Sequence, residues 1–499
     1  MARPEKQCTE TVVRIDNHKQ LFIDERFFDR QTDVHLTANP PAKREIILRP
    51  EKPWEAGCLG FYSTMIEDQG IYKLWYDAYV GLDVSKDFPR SLCYATSTDG
   101  IHWERPNVGL FNWMGYAENN IVMPGMDGAV MVDPIAPPDQ RYKAVGCIFA
   151  NTIWPESKGA HWDMTGGGVY LMTSPDGIHW KRMDPVASPF FHDSQNNLFY
   201  DDHINKYVAY LRTHRRGRTL SRVELEDPTR TPWPYRTPPE TVKPNAYGLY
   251  LGDDFGAYDM VLASDELDPP DTDIQTCPIV RYPWAQDVYI GLCTLYRHYP
   301  ETLPGTFRND GPQDVQLAVS RDGIHWRRPD RKPYIALGLS GQWDGGCLWP
   351  CQGMIRKEGE IWQYYCATVC THGNWDPAKL PMGGICRTVQ RLDGFSSVDA
   401  DYTGGEFTTP LLRFTGTDLR LNIDCSAMGS ARVEILDEQY GVIEGFSADQ
   451  AVTVEGNHLA IGVRWTSNAN VADLQSRLVR LRFVLRACKL YAFQFTRER

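Results

Sequence analysis

An all-β chain in which one sheet unit repeats, followed by a second β domain, is what the sequence predicts, on three observations. The peptide Ser-x-Asp-Gly-Ile-His-Trp occurs three times, at Ser97 to Trp103, Ser174 to Trp180 and Ser320 to Trp326. The gaps between copies are 77 and 146 residues, the second close to twice the first, so a degenerate unit is expected between Trp180 and Ser320. Two weaker echoes fit the spacing, Glu226-Asp227-Pro228 before Trp233 and Arg391-Leu392-Asp393-Gly394-Phe395. Counting both gives five units, each of the size expected for radial sheet repeats of ~40 to 50 residues plus insertions. From about Asp399 the marker disappears and the text alternates apolar and polar residues between turns, as in a β-sandwich. The expected architecture is therefore a five-bladed β-propeller over 1–398, with segment 1–50 packing on or closing it, and a C-terminal β-sandwich over 399–499.

Each unit reads as an acidic residue before a β-rich run, a turn, and an aromatic-rich return. In the first, Trp54-Glu55 precedes GFYSTMI, the turn is Glu67 to Gly70, and IYKLWYDAY returns. Asp127 opens the second before GAVMV, which returns through Arg141 to Val145. His192-Asp193 precedes SQNNLFY in the third, with its turn at Asp201 to Asn205 and KYVAYLRTH as the return. In the fourth, Asp273 precedes IQTCPIV and the chain comes back through VYIGLCTLYRHY. The fifth uses Trp343-Asp344 and returns to Thr371-His372-Gly373.

Hairpin pairing places the end of a return strand beside the start of the outgoing one. Asp193 is then expected opposite His214, Gln195 opposite Arg212, Asp273 opposite Arg297 with His298 adjacent, and Asp344 near His372. Innermost propeller strands run along the central axis, so equivalent strand ends meet at one mouth. The candidate catalytic acids are Glu55, Asp193, Asp273, Asp127 and Asp344. The candidate substrate-binding residues are Gln195, Arg212, His214, Arg297, His298 and His372, with Trp54 and Trp343 placed to stack on sugar rings. Asp193, with Arg212 and His214 opposite, suits a base or nucleophile, whereas Glu55, with no cation evident nearby, suits a general acid. The DGIHW turns are expected to build the fold: their serine and aspartate bond the turn backbone and their tryptophan wedges between sheets.

Cys347, Cys351, Cys366 and Cys370 form two four-residue spacings. A hairpin turning at Lys357 to Glu360 would set Cys351 opposite Cys366 and Cys347 opposite Cys370, two pairs about 13 Å apart along the strands. One tetrahedral ion cannot collect all four. Buried thiols or an occasional cross-strand disulfide are expected instead, with no metal and no cofactor. Thirteen scattered cysteines and an amino terminus without a signal-like apolar stretch lead to a cytoplasmic expectation. A net charge of −12 gives no basic face for nucleic acid or anionic membrane, and no apolar run is long enough to span a bilayer. The expected partner is an oligosaccharide or glycoside, with homo-oligomerisation left open.

The DGIHW turns at Asp99, Asp176 and Asp322, the KLWY and RYKA return strands and the trailing sandwich together resemble the five-bladed propeller glycosidases, the grouping that holds glycoside hydrolase families 32, 43 and 68. The C-terminal sandwich is most similar to that of family 32. The resemblance implies cleavage or transfer at a glycosidic bond by paired carboxylates in the propeller mouth, one kept protonated and one ionised. The fructosidase motif Asn-Asp-Pro-Asn-Gly is absent, and no Glu-Cys pair occupies the third unit. Asp133-Pro134 matches the family's Arg-Asp-Pro motif by letters but enters a hairpin turn at the wrong strand end. Two alternatives stay open: phosphorolysis, with Arg212, His214, Arg297, His298 and His372 as the anion site, and a carbohydrate-binding propeller without catalysis.

Overall fold

The computed structural model describes residues 12–80, 90–113, 115–125, 127–148, 168–215, 217–244, 250, 255–300, 309–374, 376–467, 469–475 and 477–497. Strands carry nearly all the regular structure, and the helices among these residues are short 3-10 turns. Five antiparallel units follow one another. The first is Cys58–Asp68, Ile71–Tyr79, Arg90–Ser97 and Ile121–Pro124, and the second Ala129–Val132, Tyr142–Ile148, Gly168–Ser174 and Lys181–Arg182. The third is Asn197–Asp201, Lys206–His214, Arg218–Leu225 and Asp259–Leu262. In the fourth, Thr272–Thr276 and Ile279–Arg281 share the inner position before Tyr289–Arg297, Gln313–Ser320 and Trp326–Arg327. The fifth has Cys347–Pro350 and Ile355–Lys357, then Glu360–Thr368 and Ile385–Arg391, and takes its outermost strand, Ala42–Leu48, from the amino-terminal segment.

Inner strands touch round a ring: Cys58–Asp68 packs on Ala129–Val132, which packs on Asn197–Asp201, and Cys347–Pro350 returns to Cys58–Asp68. Each sheet is sandwiched between neighbours, which is why its middle strands read as unbroken apolar and aromatic runs, as strands buried on both faces do. Two sets of polar pins fix the seams. The repeated turn is one. Ser97 and Asp99 bond the backbone of their own turn, Gly100 has φ +79°, and the same geometry recurs at Ser174 to Gly177 and Ser320 to Gly323. Each turn glycine then presents its carbonyl to an aromatic of the preceding unit: Trp75 Nε1 to Gly177 at 2.7 Å, Tyr210 OH to Gly323 at 2.7 Å, and Tyr364 OH to Gly100 at 3.1 Å. The last bond closes the ring. In the other set, Asp68, Asp133 and Asp201 at the ends of outgoing strands accept from Tyr142, Tyr207 and Tyr289 of the next unit. Asp133 is thus a structural residue.

The domain boundary differs from the expectation. Gln20–Leu21, Arg30–Thr32 and Val34–Ala38 all pair with carboxyl-terminal strands, and Ser396–Ala400 straddles position 398 as a member of the same sandwich sheet. One sheet runs Asn457–Gly462, Asp418–Asp424, Cys488–Thr496, Ser396–Ala400, Val34–Ala38; the other runs Arg30–Thr32, Gly405–Thr408, Arg480–Arg486, Ser430–Leu436. The physical reason lies in the core. Phe22 and Phe27 from the amino-terminal segment pack edge-on against Phe407 and Phe493 between the sheets, so without this segment the sandwich would lack part of its filling. Among the described residues up to position 50, only Ala42–Leu48 supplies a strand to the ring.

Pairing registers agree in part with the expected ones. In the third unit Asn197 pairs with Tyr210 and Asp201 with Lys206, the expected register, and the ladder ends at Asn197, ahead of which Arg212 Nη2 lies 3.5 Å from Asp193. In the fifth, Lys357 pairs with Glu360, and the Cys351 and Cys366 sulfurs lie 3.9 Å apart, but Cys347 pairs with Thr368 because the register shifts by two across the bulged segment 351–354. Cys347 therefore does not face Cys370. Among the described residues no group of three or more His, Cys, Asp or Glu is arranged to hold a metal ion, and no helix is long and apolar enough to cross a membrane.

Candidate active site

Successive strand residues leave opposite faces of a sheet, so Tyr76 and Asp77 in Ile71–Tyr79 serve different neighbourhoods. Tyr76 donates to Glu55 at 2.8 Å. Arg105 grips the same carboxylate with Nε at 2.8 Å and Nη2 at 3.1 Å, and the backbone N–H groups of Glu51 and Lys52 complete the set. Glu55 is fully buried. The expectation that it lacks a cation and serves as general acid is therefore corrected: it anchors the chain ahead of the first inner strand. Trp54 is buried beside it with its indole N–H on Asn120, which removes it from sugar stacking.

Asp77 points the other way, into a group of charges at the ring's mouth. It is completely buried, Tyr79 OH donates to its Oδ2 at 3.4 Å, and its Oδ1 has no partner among the described residues. Across the seam Asp127 accepts from Arg90 Nη1 at 3.0 Å and from the Cys147 N–H at 2.9 Å. Burial pushes the Asp77 carboxyl well above the usual carboxylate range, and the charge of Asp127 pushes it further, against the pull of Arg90 and the Tyr79 hydroxyl. Asp127 is also raised by burial, though Arg90 and the Cys147 amide favour its charge. Two buried carboxyl groups near one guanidinium disfavour a second negative charge, and Asp127 holds the better donors of the two.

The charge of Asp193 is felt by Asp127, Arg90 and Tyr62, which joins the third unit to this group. Its side chain is 37% exposed, so it is the carboxylate that a ligand can reach, and Arg212 Nη2 lies 3.5 Å away. Arg212 is buried, and its Nε and Nη1 find no acceptor among the described residues. His192 Nδ1 lies 2.6 Å from the Arg212 carbonyl and its Nε2 lies 2.9 Å from the Ser188 hydroxyl, which holds the strand end in place. Gln195 turns across the channel and donates to the Ser63 carbonyl at 2.6 Å, linking the third unit to the first.

Asp273 joins the far side. Its Oδ2 meets His298 Nε2 at 3.1 Å and Arg218 Nη1 at 3.2 Å. Burial opposes its charge, but His298 and Arg218 outweigh burial and hold the carboxyl below its ordinary value. His214 is pushed down to about 4 by burial and the Arg212 and Arg218 cations, and His372 also to about 4, by burial and Arg218. Tyr296 stacks between His298 and His372.

Three further expectations are corrected. A bulge between Ile274 and Thr276 slips the fourth hairpin by one, so Asp273 pairs with Tyr296 and Arg297 leaves the other face, where it meets Asp314 at 2.6 Å. Asp344 is turned towards the outer strand, held by Lys43 at 2.6 Å and Tyr365 OH at 3.2 Å, away from His372. Trp343 stacks on Tyr365 within the same packing cluster. The structure thus brings together Asp127, Asp193, Asp273, Arg212, His214, His298 and His372, and adds Asp77, Arg90, Arg218, Tyr62 and Tyr79. The one sign of Asp77 in the sequence is an acid inside the otherwise aromatic run IYKLWYDAY.

No family model matches the chain. Over 127 residues, 24% of this chain and 33% of the relative, it is 26% identical to uncharacterized protein MT1551 of Mycobacterium tuberculosis (strain CDC 1551 / Oshkosh). It is likewise 26% identical over 123 residues to uncharacterized protein Rv1502 of strain ATCC 25618 / H37Rv. The chain spans about a third of the length of these curated relatives. Among solved structures it is similar to a glycoside hydrolase, at TM-score 0.44 and 14% identity over 73% of this chain and 95% of that one. It is also similar to an exo-inulinase from Aspergillus awamori, at TM-score 0.37 and 11% identity over 90% and 99%, and to an N-acetylgalactosamine deacetylase from F. plautii in complex with blood group B trisaccharide, at 0.43 and 14% over 72% and 96%.

Proposed function

We propose that the chain cleaves a glycosidic bond in the ring's mouth, with Asp77 as proton donor and Asp193 as the carboxylate that acts on the anomeric carbon or its attacking water. The observation that carries this reading is the Asp77 and Asp127 pair sharing the field of Arg90, beside an Asp193 that a ligand can reach. Glycoside cleavage needs one carboxyl group that keeps its proton near neutral pH and one that does not, and environment sets the difference. As the bond breaks, the proton held at the buried Asp77 passes to the leaving oxygen by way of the Tyr79 hydroxyl that bonds its Oδ2, while Asp193 either bonds the anomeric carbon or takes a proton from water. Asp127 and Arg90 tune the donor, and Asp273, His298 and His372 line the far wall. Among the described residues twelve cysteines are buried free thiols, which supports a cytoplasmic setting.

A screen of aryl glycosides and neutral oligosaccharides tests this with the wild type, Asp77→Asn and Asp193→Asn. Loss of about 10²-fold or more in kcat for both variants, with unchanged circular dichroism, is the expected result. Full activity in both on a substrate the wild type cleaves would overturn it. Proton NMR of the first-formed product reads retention against inversion.

A second reading, phosphorolysis, is favoured by the two Arg212 nitrogens without acceptors beside Arg218. Phosphate-dependent release of a sugar phosphate would select it over hydrolysis.

A further inference from the structure

At the end of the ring away from the catalytic carboxylates, the turns of the third and fourth units and the amino-terminal residues 17–19 form a half-open cavity of about 570 Å³. That volume sits within the roughly 300 to 1,000 Å³ of small-ligand sites. Trp284, Arg281, His203, His18, Lys19 and Gln494 line it. The inner strand Asn197–Asp201, roughly 13 Å long at ~3.3 Å per residue, separates it from Asp193. It is a second place, with its own walls.

Those walls are held. Gln286 N–H donates to the Lys19 carbonyl at 3.0 Å, Gln20 Nε2 to Gln286 Oε1 at 2.8 Å, and Gln494 Nε2 to the Asn17 carbonyl at 2.9 Å. Tyr282 meets the Trp284 ring edge-on at 5.0 Å and is itself fixed by its hydroxyl on Asp393 at 2.7 Å. The indole, half-buried, is thereby preset as part of the cavity lining.

The charges in the lining are answered within the protein. Lys19 pairs with Asp393 at 2.7 Å, Arg281 with Asp201 at 3.4 Å and with Asp202, and His203 with Asp287 at 3.7 Å. An anion entering would find Lys19 and Arg281 already partnered, and a cation would find the acids equally engaged. What remains is an aromatic ring beside many oriented donors and acceptors. A neutral ring with C–H groups on one face and hydroxyls at its rim matches that chemistry. We propose that this cavity is a saccharide-binding site distinct from the carboxylate pocket, taking neutral oligosaccharides.

The test is calorimetric titration of xylo-, arabino-, fructo- and gluco-tetraoses into the wild type, Trp284→Ala, His203→Ala and Asp193→Asn. At least one tetraose is expected to bind the wild type, with binding weakened about tenfold by Trp284→Ala and severalfold by His203→Ala. His203 has an exposed side chain, so its variant keeps the test sound if Trp284→Ala folds poorly. Asp193→Asn is expected to leave this binding unchanged, which separates it from the catalytic reading. Absence of binding by all four sugars up to about 10 mM, or binding indifferent to both Trp284→Ala and His203→Ala, would overturn the proposal.

Discussion

Trp75 gives its indole N–H to the carbonyl of Gly177, 102 residues on and in the next blade, at 2.7 Å. A Cβ on Gly177 would stand 2.6 Å from the Trp75 ring, at a backbone φ of +80°. Gly70 has nearly the same φ, +79°, but open space around it. Gly70→Ala is therefore expected to cost roughly 1 to 2 kcal/mol from conformation alone, and Gly177→Ala about 3 kcal/mol or more once the clash is added. Urea midpoints of the two variants measure the difference. Equal losses would mean that the seam yields freely.

The buried pair of Arg90 and Asp127 supports a second prediction. Arg90→Met leaves the Asp127 carboxyl buried without its cation and is expected to lower stability by about 3 to 5 kcal/mol. Arg90→Met with Asp127→Leu removes both charges and should recover much of that loss. A double variant no better than the single one would count against the pair as the cause.

Glu55 and Asp77 should exchange the roles of stability and activity. Glu55→Gln breaks a buried bidentate pair with Arg105, so lower thermal stability is expected while folded enzyme keeps its kcat. Asp77 carries a raised carboxyl pKa in the fold. Its contribution is full below the unfolded value near 3.9 and is lost as pH rises towards the folded value. Asp77→Asn should therefore be inactive yet at least as stable as wild type at pH 8, as read by denaturant unfolding.

Three neutral histidines set the acid limit. His192 is held down to about 3 by burial, and His214 and His372 to about 4. Groups with depressed folded pKa stabilise fully above the unfolded value near 6.5 and lose that contribution as pH falls through the folded value. Urea midpoints are expected to drop between pH 6.5 and 4, and less steeply in His372→Asn. An unchanged slope would assign the acid sensitivity elsewhere.

The blades are legible in the sequence because the turn that marks them does two jobs at once, a positive-φ glycine and a docking carbonyl, and both restrict residue choice. The third hairpin is legible because no bulge interrupts it. Bulges at Ile274 to Thr276 and at 351–354 leave little trace in composition, so Arg297 and Cys347 fall elsewhere than an unbroken register predicts. Asp77 is hidden by its neighbour: Tyr76 faces Glu55 while Asp77 faces Asp127, and a one-residue step decides which acid enters the mouth. The strands of residues 13–38 pair only with partners more than 350 positions away, beyond the reach of any local pattern.

The strand Ala42–Leu48 has a consequence for the order of assembly. It emerges early in synthesis, yet its partner Ile385–Arg391 comes more than 300 residues later. Until then the fifth blade has no outer edge, and Tyr364 cannot reach a settled Gly100. Contacts of such long sequence separation form late and slowly. Ring and sandwich are therefore expected to mature together, after the last strand has been made, as one cooperative event.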